Sequence, residues 1–228
     1  MGDWINVSGE DGHRMRAWHE RPAQPKAGVV LLQEVFGVNE HIRAVAASLA
    51  AAGFEVVAPS LFDRLMPRVE LGYGPDGIER GVSLMKQAAP QTAVRDVQAA
   101  AAALSPGLPR SVVGFCWGGF VAWLAAAQVE GLSAAVCYYP GGIDGAVEAA
   151  PRVPVLVHLA ERDEHIPVRG GETLRQKYPE RVRVHTYDAM HGFHCDARAS
   201  HDASSAALAW ERTIGFLGAQ AAAGRVAA

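Results

Sequence analysis

The sequence predicts an α/β fold with a mostly parallel central sheet of about eight strands and helices on both faces. Short β-type runs alternate with longer helical runs along most of the 228 residues, which is the pattern of a covered parallel sheet. The run "AGVVLLQ" at residues 27–33 is continuously apolar, as in a strand buried on both faces. Half of the residues (50%) are hydrophobic, which suits one domain with a sizeable core.

The first half of the chain is predicted to open with an antiparallel pair. "WINV" and "HRMRAW" indicate two strands joined by the turn "SGEDG". The buried strand at residues 27–33 comes next. Residues 41–53 carry apolar side chains at helical spacing, and Gly53 suits the end of that helix. "FEVVAP" is the strand that follows.

The second half continues the alternation of helix and strand. "AVRDVQAAAAAL", from Ala93, has apolar residues on one helical face. "RSVVGF" is a strand, and "CWGGFVAWLAAAQ" is the helix directly after it. "LSAAVCYY" and "PVLVHLA" are two more strands, "RGGETLRQKY" is a helix and "RVRVHTYD" is the last strand. An alanine-rich helix from Ser200 completes the chain, so residues 1–228 are predicted to form a single domain.

The stretch at about residues 61–90 fits this alternation least well. It is rich in glycine, proline and charge. An irregular segment of about 20 residues in a compact domain is often a lid or a binding loop. We therefore expect this excursion to contribute to function, and the alternative is a plain surface loop.

Composition excludes several classes of protein. The net charge is −3, with 21 basic and 24 acidic residues, and no basic stripe indicates nucleic acid. The first residues lack a signal-peptide pattern, and no window approaches the roughly 18 unbroken apolar residues of a membrane span. The three cysteines, Cys116, Cys137 and Cys195, are too few for a disulfide framework and favour a reducing, cytoplasmic setting. We expect a monomer or a weak homodimer.

The stretch "VVGFCWGGFVAWLAAA" places a cysteine in a tight turn between a strand and a helix. Glycines on both sides let backbone segments pass closely around a strained residue, the arrangement called a nucleophile elbow. The following helix begins beside Cys116, and a helix N-terminus favours a thiolate and a developing oxyanion. A buried structural cysteine is the alternative, but it would not require this glycine frame. Cys116 is therefore the predicted nucleophile.

A nucleophile of this type needs a base and an acid that orients the base. With an elbow, the chain order is nucleophile, acid, base. Asp163 follows a late strand and is the predicted acid, with Glu161 and Glu164 as rivals. His191 follows the last strand and is the predicted base; Gly192 after it permits a tight turn. His194 is the rival base.

Two other classes of function compete with an enzyme. His191, His194, Cys195 and His201 crowd together in the sequence, and zinc sites use such ligands. No CxxC pair or HExxH helix supports that interpretation, so we expect no metal and no cofactor. A non-catalytic scaffold is the other alternative, since fold alone does not fix function, but an intact triad argues against it.

Several motifs in order resemble the dienelactone hydrolases, within the α/β-hydrolase fold. The resemblance covers nearly the whole chain and rests on "QEVFGVNEHIR" (33–43), "APSLFDR" (58–64), "GFCWGG" (114–119), "ERDEHIP" (161–167) and "HGFHCDARAS" (191–200). It implies hydrolysis of an enol-lactone ester, a small molecule that carries a carboxylate, by a Cys-His-Asp triad. Broader carboxylesterase or thioesterase activity on the same triad is the alternative.

The resemblance also implies roles for residues outside the triad. In similar enzymes the glutamate at the Glu34 position contacts the resting thiol and helps to generate the thiolate when substrate arrives. Backbone N–H groups of Val35 and Trp117 match the oxyanion hole. The family holds the substrate carboxylate with two arginines, and the alignment is not clean at either place. Arg80 and Arg198 are the nearest candidates, with the close rivals Arg64 and Arg68.

Overall fold

A computed structural model, which describes residues 2–226, has eight strands in one sheet. The strands are β1 (Asp3–Ser8), β2 (Arg14–Glu20), β3 (Ala27–Leu32), β4 (Phe54–Pro59), β5 (Arg110–Phe115), β6 (Leu132–Tyr138), β7 (Val155–Ala160) and β8 (Val182–Tyr187). The helices are α1 (Glu40–Ala51), α2 (Pro75–Gln87), α3 (Pro90–Ala102), α4 (Trp117–Gln128), α5 (Arg169–Lys177) and α6 (Ala203–Val226). The predicted α/β class is confirmed.

The sheet has the order β1-β2-β4-β3-β5-β6-β7-β8. Strand β2 pairs antiparallel with β1 and β4, and the remaining neighbours are parallel. Every residue of β3, β4 and β7 is buried, because helices cover both faces of a parallel sheet. The predicted antiparallel opening and mostly parallel centre are both confirmed.

The direction of the chain across the sheet reverses between β3 and β5. From β3 the chain passes through α1 to β4 on one side, and from β5 it passes through α4 to β6 on the other. Because such crossovers are right-handed, α1 and α4 cover opposite faces. The carboxyl ends of β3 and β5 therefore meet at a topological switch point, where open α/β sheets form their ligand crevice.

Local signals fix the ends of α1. The Asn39 side chain accepts a hydrogen bond from the Ile42 N–H at 3.3 Å, which caps the first turn. The helix is followed by Gly53 with φ 91°, the left-handed conformation that glycine adopts most easily. Helix α3 begins at Pro90, three residues before the predicted Ala93, because proline is favoured at the first helical position.

The structure differs from the sequence prediction within residues 61–90, where helix α2 occupies part of the irregular stretch. Pro75 starts this helix. Gly81 is buried and lies against the Val35 carbonyl, closer than a Cβ atom would permit. Glycine and proline, which suggested a loop, here start the helix and let it pack tightly. Helix α2 therefore lies directly on the segment after β3.

Helix α4 is buried on nearly all sides: nine of its 12 residues are buried, including Trp123. A helix that is apolar all round belongs in the interior, so the elbow at its start is anchored in the core. Within residues 2–226, no helix is both long and apolar enough to cross a membrane.

Candidate active site

Cys116 lies between β5 and α4 with φ 54° and ψ −117°. A non-glycine residue in this region of backbone space is strained and persists only where its surroundings enforce it. One such constraint is the Cys116 N–H, which donates to the Tyr138 carbonyl at 3.0 Å. The conformation is that of a nucleophile elbow.

Two glycines make the elbow possible. A Cβ atom on Gly114 would collide with the Gly118 carbonyl oxygen. A Cβ on Gly118 would lie 2.7 Å from the Leu32 carbonyl oxygen and closer still to that of Gln33. The elbow, the first turn of α4 and the end of β3 therefore pack backbone against backbone, which brings the segment after β3 beside Cys116.

His191 and Asp163 form a hydrogen-bonded pair. His191 Nδ1 lies 2.7 Å from Asp163 Oδ2. The other carboxylate oxygen accepts from the backbone N–H groups of His165 at 2.8 Å and Ile166 at 3.0 Å. The Asp163 side chain is 1% exposed, whereas the rival carboxylates Glu161 and Glu164 are exposed. The geometry thus joins His191 to Asp163.

The charges of these groups are coupled. Burial lowers the pKa of His191, but the charge of Cys116, the hydrogen bond to Asp163 and the hydrogen bond to Cys116 outweigh this and raise it to about 10. Burial raises the pKa of Asp163, but its hydrogen bonds to His191 and to backbone N–H groups lower it on balance. His191 and Asp163 are therefore a hydrogen-bonded pair, and the complete triad with Cys116 stays a prediction.

His194 occupies a different environment. Its ring lies 5.1 Å from the rings of Phe115 and Tyr138 and 5.8 Å from that of Trp210. Burial, together with neighbouring histidines, lowers the pKa of His194 to about 3. The structure thus brings His191, and not His194, to the carboxylate that orients a base.

Glu34 follows β3 and is 1% exposed. Its Oε2 accepts a hydrogen bond from the Tyr73 hydroxyl at 3.1 Å, and its Oε1 lies 3.4 Å from Arg198 Nη1. Gly192, with φ 79°, leaves room for the Arg198 guanidinium where a Cβ would collide with it. A buried carboxylate needs such partners, so Tyr73 and Arg198 hold Glu34 in place.

The expected contact of Glu34 with the resting thiol is not among the hydrogen bonds of residues 2–226. The partners of Glu34 are Tyr73 and Arg198, and the Cys116 side chain interacts with His191. The expected contact of Glu34 with the thiol therefore stays a prediction. Trp117 is the first residue of α4, where an N–H has no acceptor within the helix. The oxyanion-hole roles of Val35 and Trp117 stay predictions.

The arginines that were candidates for holding a substrate carboxylate lie in different parts of the structure. Arg198 lies beside Glu34, with a side chain that is 20% exposed. Arg80 is on the exposed side of α2, where its Nη2 lies 3.4 Å from Met66 Sδ. A role for Arg80 in holding a substrate carboxylate stays a prediction.

Arg64 is engaged elsewhere in the fold. It forms hydrogen bonds of 2.7–3.2 Å to both oxygens of Asp96, whose side chain is 2% exposed, and a further ion pair to Asp11 at 2.9 Å. Arg68 is exposed and has a left-handed φ of 62°. The Arg64 guanidinium compensates a buried carboxylate, which identifies it as a structural residue.

Two tyrosines at the site were missed by the sequence analysis. Tyr73 comes from the excursion between β4 and α2. Tyr139 directly follows β6, has φ 34°, and packs its ring at 5.0 Å from that of His191. The Tyr139 hydroxyl is buried without a hydrogen-bond partner in residues 2–226. The position of Tyr139 just past a parallel strand was the available signal, because these strand ends share one edge of the sheet.

A cavity of about 590 Å³ adjoins these groups. Its lining includes Tyr73, Met190 and Arg198. Met190 immediately precedes His191 in the chain, although His191 itself does not line the cavity. It presents a cation and a phenol to any molecule that enters it.

The histidines that crowd in the sequence do not gather around a metal position. Within residues 2–226, the group with metal-ligand geometry consists of Glu34, His41 and Cys195, whose ligand atoms lie within 4.8 Å of one another. His191 pairs with Asp163, whereas His194 packs against aromatic rings. Of the residues that crowd together in the sequence, this group contains only Cys195.

Comparison with known proteins decides the family. The model of the dienelactone hydrolase family matches residues 15–221. The chain belongs to the dienelactone hydrolase family. It is accordingly a hydrolase with the α/β-hydrolase fold, and the recognised resemblance is confirmed.

Relatives of this dienelactone hydrolase family member match along most of their length. A carboxymethylenebutenolidase of Pseudomonas putida is 31% identical over 228 residues, covering 95% of this chain and 96% of the relative. A Synechocystis protein assigned the same activity is 34% identical over 204 residues, covering 81% and 82%. The crystal structure of a Klebsiella pneumoniae protein assigned as a dienelactone hydrolase has a TM-score of 0.82, with 29% identity and coverage of 96% and 98%.

Proposed function

We propose that this protein hydrolyses an ester or enol-lactone bond through an acyl-enzyme formed on Cys116. One observation carries the proposal: the strained residue of the elbow, Cys116, interacts with His191, whose Nδ1 lies 2.7 Å from Asp163. The order of nucleophile, acid and base in the chain, and the His191–Asp163 hydrogen bond, support acyl transfer. The names of the relatives support the same reaction class.

Acylation begins when the Cys116 sulfur attacks the carbonyl carbon of the substrate. The thiol proton resides on His191 Nε2, the nitrogen not bonded to Asp163, when the sulfur attacks, and His191 passes that proton to the leaving oxygen. The bond to that oxygen breaks and a thioester remains on Cys116. Water then attacks the thioester with His191 as base, which releases the acid and restores the thiol. No oxidant or cofactor is required.

The oxyanion that forms in each step needs donors. The backbone N–H groups of Val35 and Trp117 are suited to this role, because close packing at Gly118 brings the two segments together. Removal of one such donor typically costs about 10²–10³ in rate. Glu34 lies on the same segment as Val35, so its carboxylate is available to influence the thiol and an arriving substrate.

The substrate class follows from the cavity that Arg198 and Tyr73 line. Arg198 and Tyr73 supply a guanidinium and a hydroxyl there, and a guanidinium suits a carboxylate. A small ester or lactone that carries a carboxylate is therefore the preferred substrate. A broad carboxylesterase or thioesterase would use the same triad, but it would gain nothing from Arg198. We place the reaction in the cytoplasm, which the three free thiols support.

The test is a panel of cyclic enol-lactones and simple aryl esters, ranked by kcat/KM. We expect the purified protein to hydrolyse members of both groups, with a preference for acid lactones over their methyl esters. Cys116→Ala should abolish turnover, and Cys137→Ala, which changes a thiol buried in β6, is the matched control. Turnover by Cys116→Ala above a few per cent of wild type would exclude the proposed nucleophile.

A further inference from the structure

Three buried side chains from separate elements converge beside the triad. Glu34 follows β3, His41 is in the first turn of α1, and Cys195 lies in the loop after β8. Their exposed fractions are 1%, 7% and 0%, and their ligand atoms lie within 4.8 Å of one another. His41 and Cys195 have no role in the proposed hydrolysis, so their convergence on Glu34 needs another explanation.

His41 contributes an unused ligand atom. Its Nε2 is buried and has no hydrogen-bond partner in residues 2–226, and its Nδ1 lies 3.8 Å from Asp196 Oδ1, beyond hydrogen-bond distance. Burial lowers the pKa of His41, which favours the neutral imidazole that binds metals. Buried polar atoms are almost always paired in native proteins, so this nitrogen points to a missing partner.

Cys195 contributes a protected thiol. Burial raises its pKa to about 11, although a hydrogen bond to Tyr73 opposes this. The Cys195 side chain is fully buried and lies with Glu34 and His41 inside one ligand-sized group. A metal ion replaces the thiol proton, because the thiolate is the ligand form.

We propose that Glu34, His41 and Cys195 bind a zinc ion, and that the bound ion inhibits hydrolysis. One sulfur, one imidazole nitrogen and one carboxylate oxygen are all zinc ligands, and three protein ligands leave a fourth position for water. The two anionic ligands balance the charge of the ion. Binding is an exchange in which the zinc–sulfur bond forms and the thiol proton is released to solvent, with no change of oxidation state.

Inhibition follows from the shared residue Glu34 and rests on the proposed function. Arg198 and Tyr73 now hold the two carboxylate oxygens of Glu34. A cation at Glu34 repels Arg198 and takes its place on the carboxylate. The guanidinium then moves from the position in which it faces the substrate cavity, and Glu34 no longer acts on the thiol.

A surface cavity reaches His41, one of the three proposed ligands. A cavity of about 620 Å³ is lined in part by Asn39, His41, Tyr73 and Asp196, so it connects His41 with the surface. The Asp196 side chain is 83% exposed and faces His41. A carboxylate at this mouth attracts cations before they reach the buried ligands.

The binding experiment uses metal-free Cys116→Ala protein, because Cys116 and His191 could otherwise bind zinc themselves. Isothermal titration with zinc chloride should give one equivalent per chain with a micromolar or tighter Kd. Cobalt(II) in its place should give a thiolate-to-cobalt charge-transfer absorption. No binding at micromolar zinc, or no charge-transfer absorption, would overturn the proposal.

Ligand variants in the same background locate the site. Cys195→Ala and His41→Gln should each weaken binding by about 100-fold or more, since even residues that only orient ligands are worth 10–100-fold. Cys137→Ala and His194→Gln are matched controls and should bind as before, with folding checked by circular dichroism. Equal binding by Cys195→Ala, or equal loss in the controls, would refute the assignment.

The inhibition experiment uses enzyme with Cys116 intact. Zinc should inhibit wild type, and His41→Gln should need about 100-fold more zinc for the same fractional loss relative to its own zinc-free rate. Binding without inhibition would overturn the inhibitory part. A wild-type protein that hydrolyses no ester would refute the proposed function, while the titration would still decide the zinc site.

Discussion

Asp163→Asn changes one atom and should disable the base without disturbing the fold. In wild type, one Asp163 oxygen faces His191 Nδ1, and the other accepts the N–H groups of His165 and Ile166. An asparagine oxygen can keep both backbone bonds only if its NH₂ group faces His191. Nδ1 must then accept a hydrogen bond, and the ring proton moves to Nε2. A protonated Nε2 cannot take the thiol proton.

The expected loss is about 10⁴-fold in kcat, as for the same change in triads where the acid fixes the tautomer. That corresponds to about 5.4 kcal/mol at about 1.36 kcal/mol per tenfold. Stability should change little by comparison, since the two backbone hydrogen bonds remain. The variant therefore separates a role in catalysis from a role in folding.

Steady-state hydrolysis of an aryl ester, with urea unfolding alongside, measures both quantities. Glu164→Gln is the matched control, because it neutralises an exposed carboxylate next to Asp163 and should keep wild-type turnover. A loss below about tenfold for Asp163→Asn would mean that the aspartate does not set the tautomer of His191. An equal loss in Glu164→Gln would point to long-range charge instead.

Three further changes test other features. Arg64→Ala leaves the buried Asp96 carboxylate without its partner, and we expect urea denaturation to show a loss of about 3–5 kcal/mol in the free energy of unfolding. Gly118→Ala forces a Cβ against the Gln33 carbonyl, so turnover should fall sharply and circular dichroism should show earlier thermal unfolding. His191→Gln removes a group whose raised pKa stabilises the folded state below the ordinary value of 6.5, a contribution lost as pH rises toward about 10. The stability advantage of wild type over this variant should therefore shrink across that range.

Matched changes control these experiments. Arg95→Ala removes an exposed arginine and should alter stability by no more than about 0.5 kcal/mol. Gly215→Ala places a Cβ in open space on α6 and should be neutral or stabilising by about 0.5–1 kcal/mol. If Arg64→Ala and Arg95→Ala lower the free energy of unfolding equally, the buried ion pair contributes little to stability. If the His191→Gln difference grows with pH, the sign of the coupling is wrong.

The sheet could be predicted from the sequence because its signals are local. The continuous apolar run that forms β3 and the glycine frame around Cys116 both report their environment directly. Helix α2 could not be predicted in the same way. Pro75 and Gly81 suggest a loop when taken alone, and only the close approach of Gly81 to Val35 in the folded chain explains them.

The His191–Asp163 pair could be predicted because its two residues, like Cys116 in the elbow, follow strand ends in a fixed order. The partners of Glu34 could not, since Arg198 lies 164 positions away in the sequence and Tyr73 belongs to the excursion. The position of Arg80 also could not be predicted from the sequence alone. Without the helix that carries it, nothing in the sequence indicated that this side chain would lie on the exposed side of α2.

The most direct test of the account is the identity of the covalent intermediate. Wild-type protein mixed with an aryl ester and quenched within one turnover should gain the mass of the acyl group. Peptide mapping should place that group on Cys116, and Cys116→Ala should show no adduct. An acyl group on another residue, or unimpaired turnover with no adduct on Cys116, would contradict the proposed mechanism.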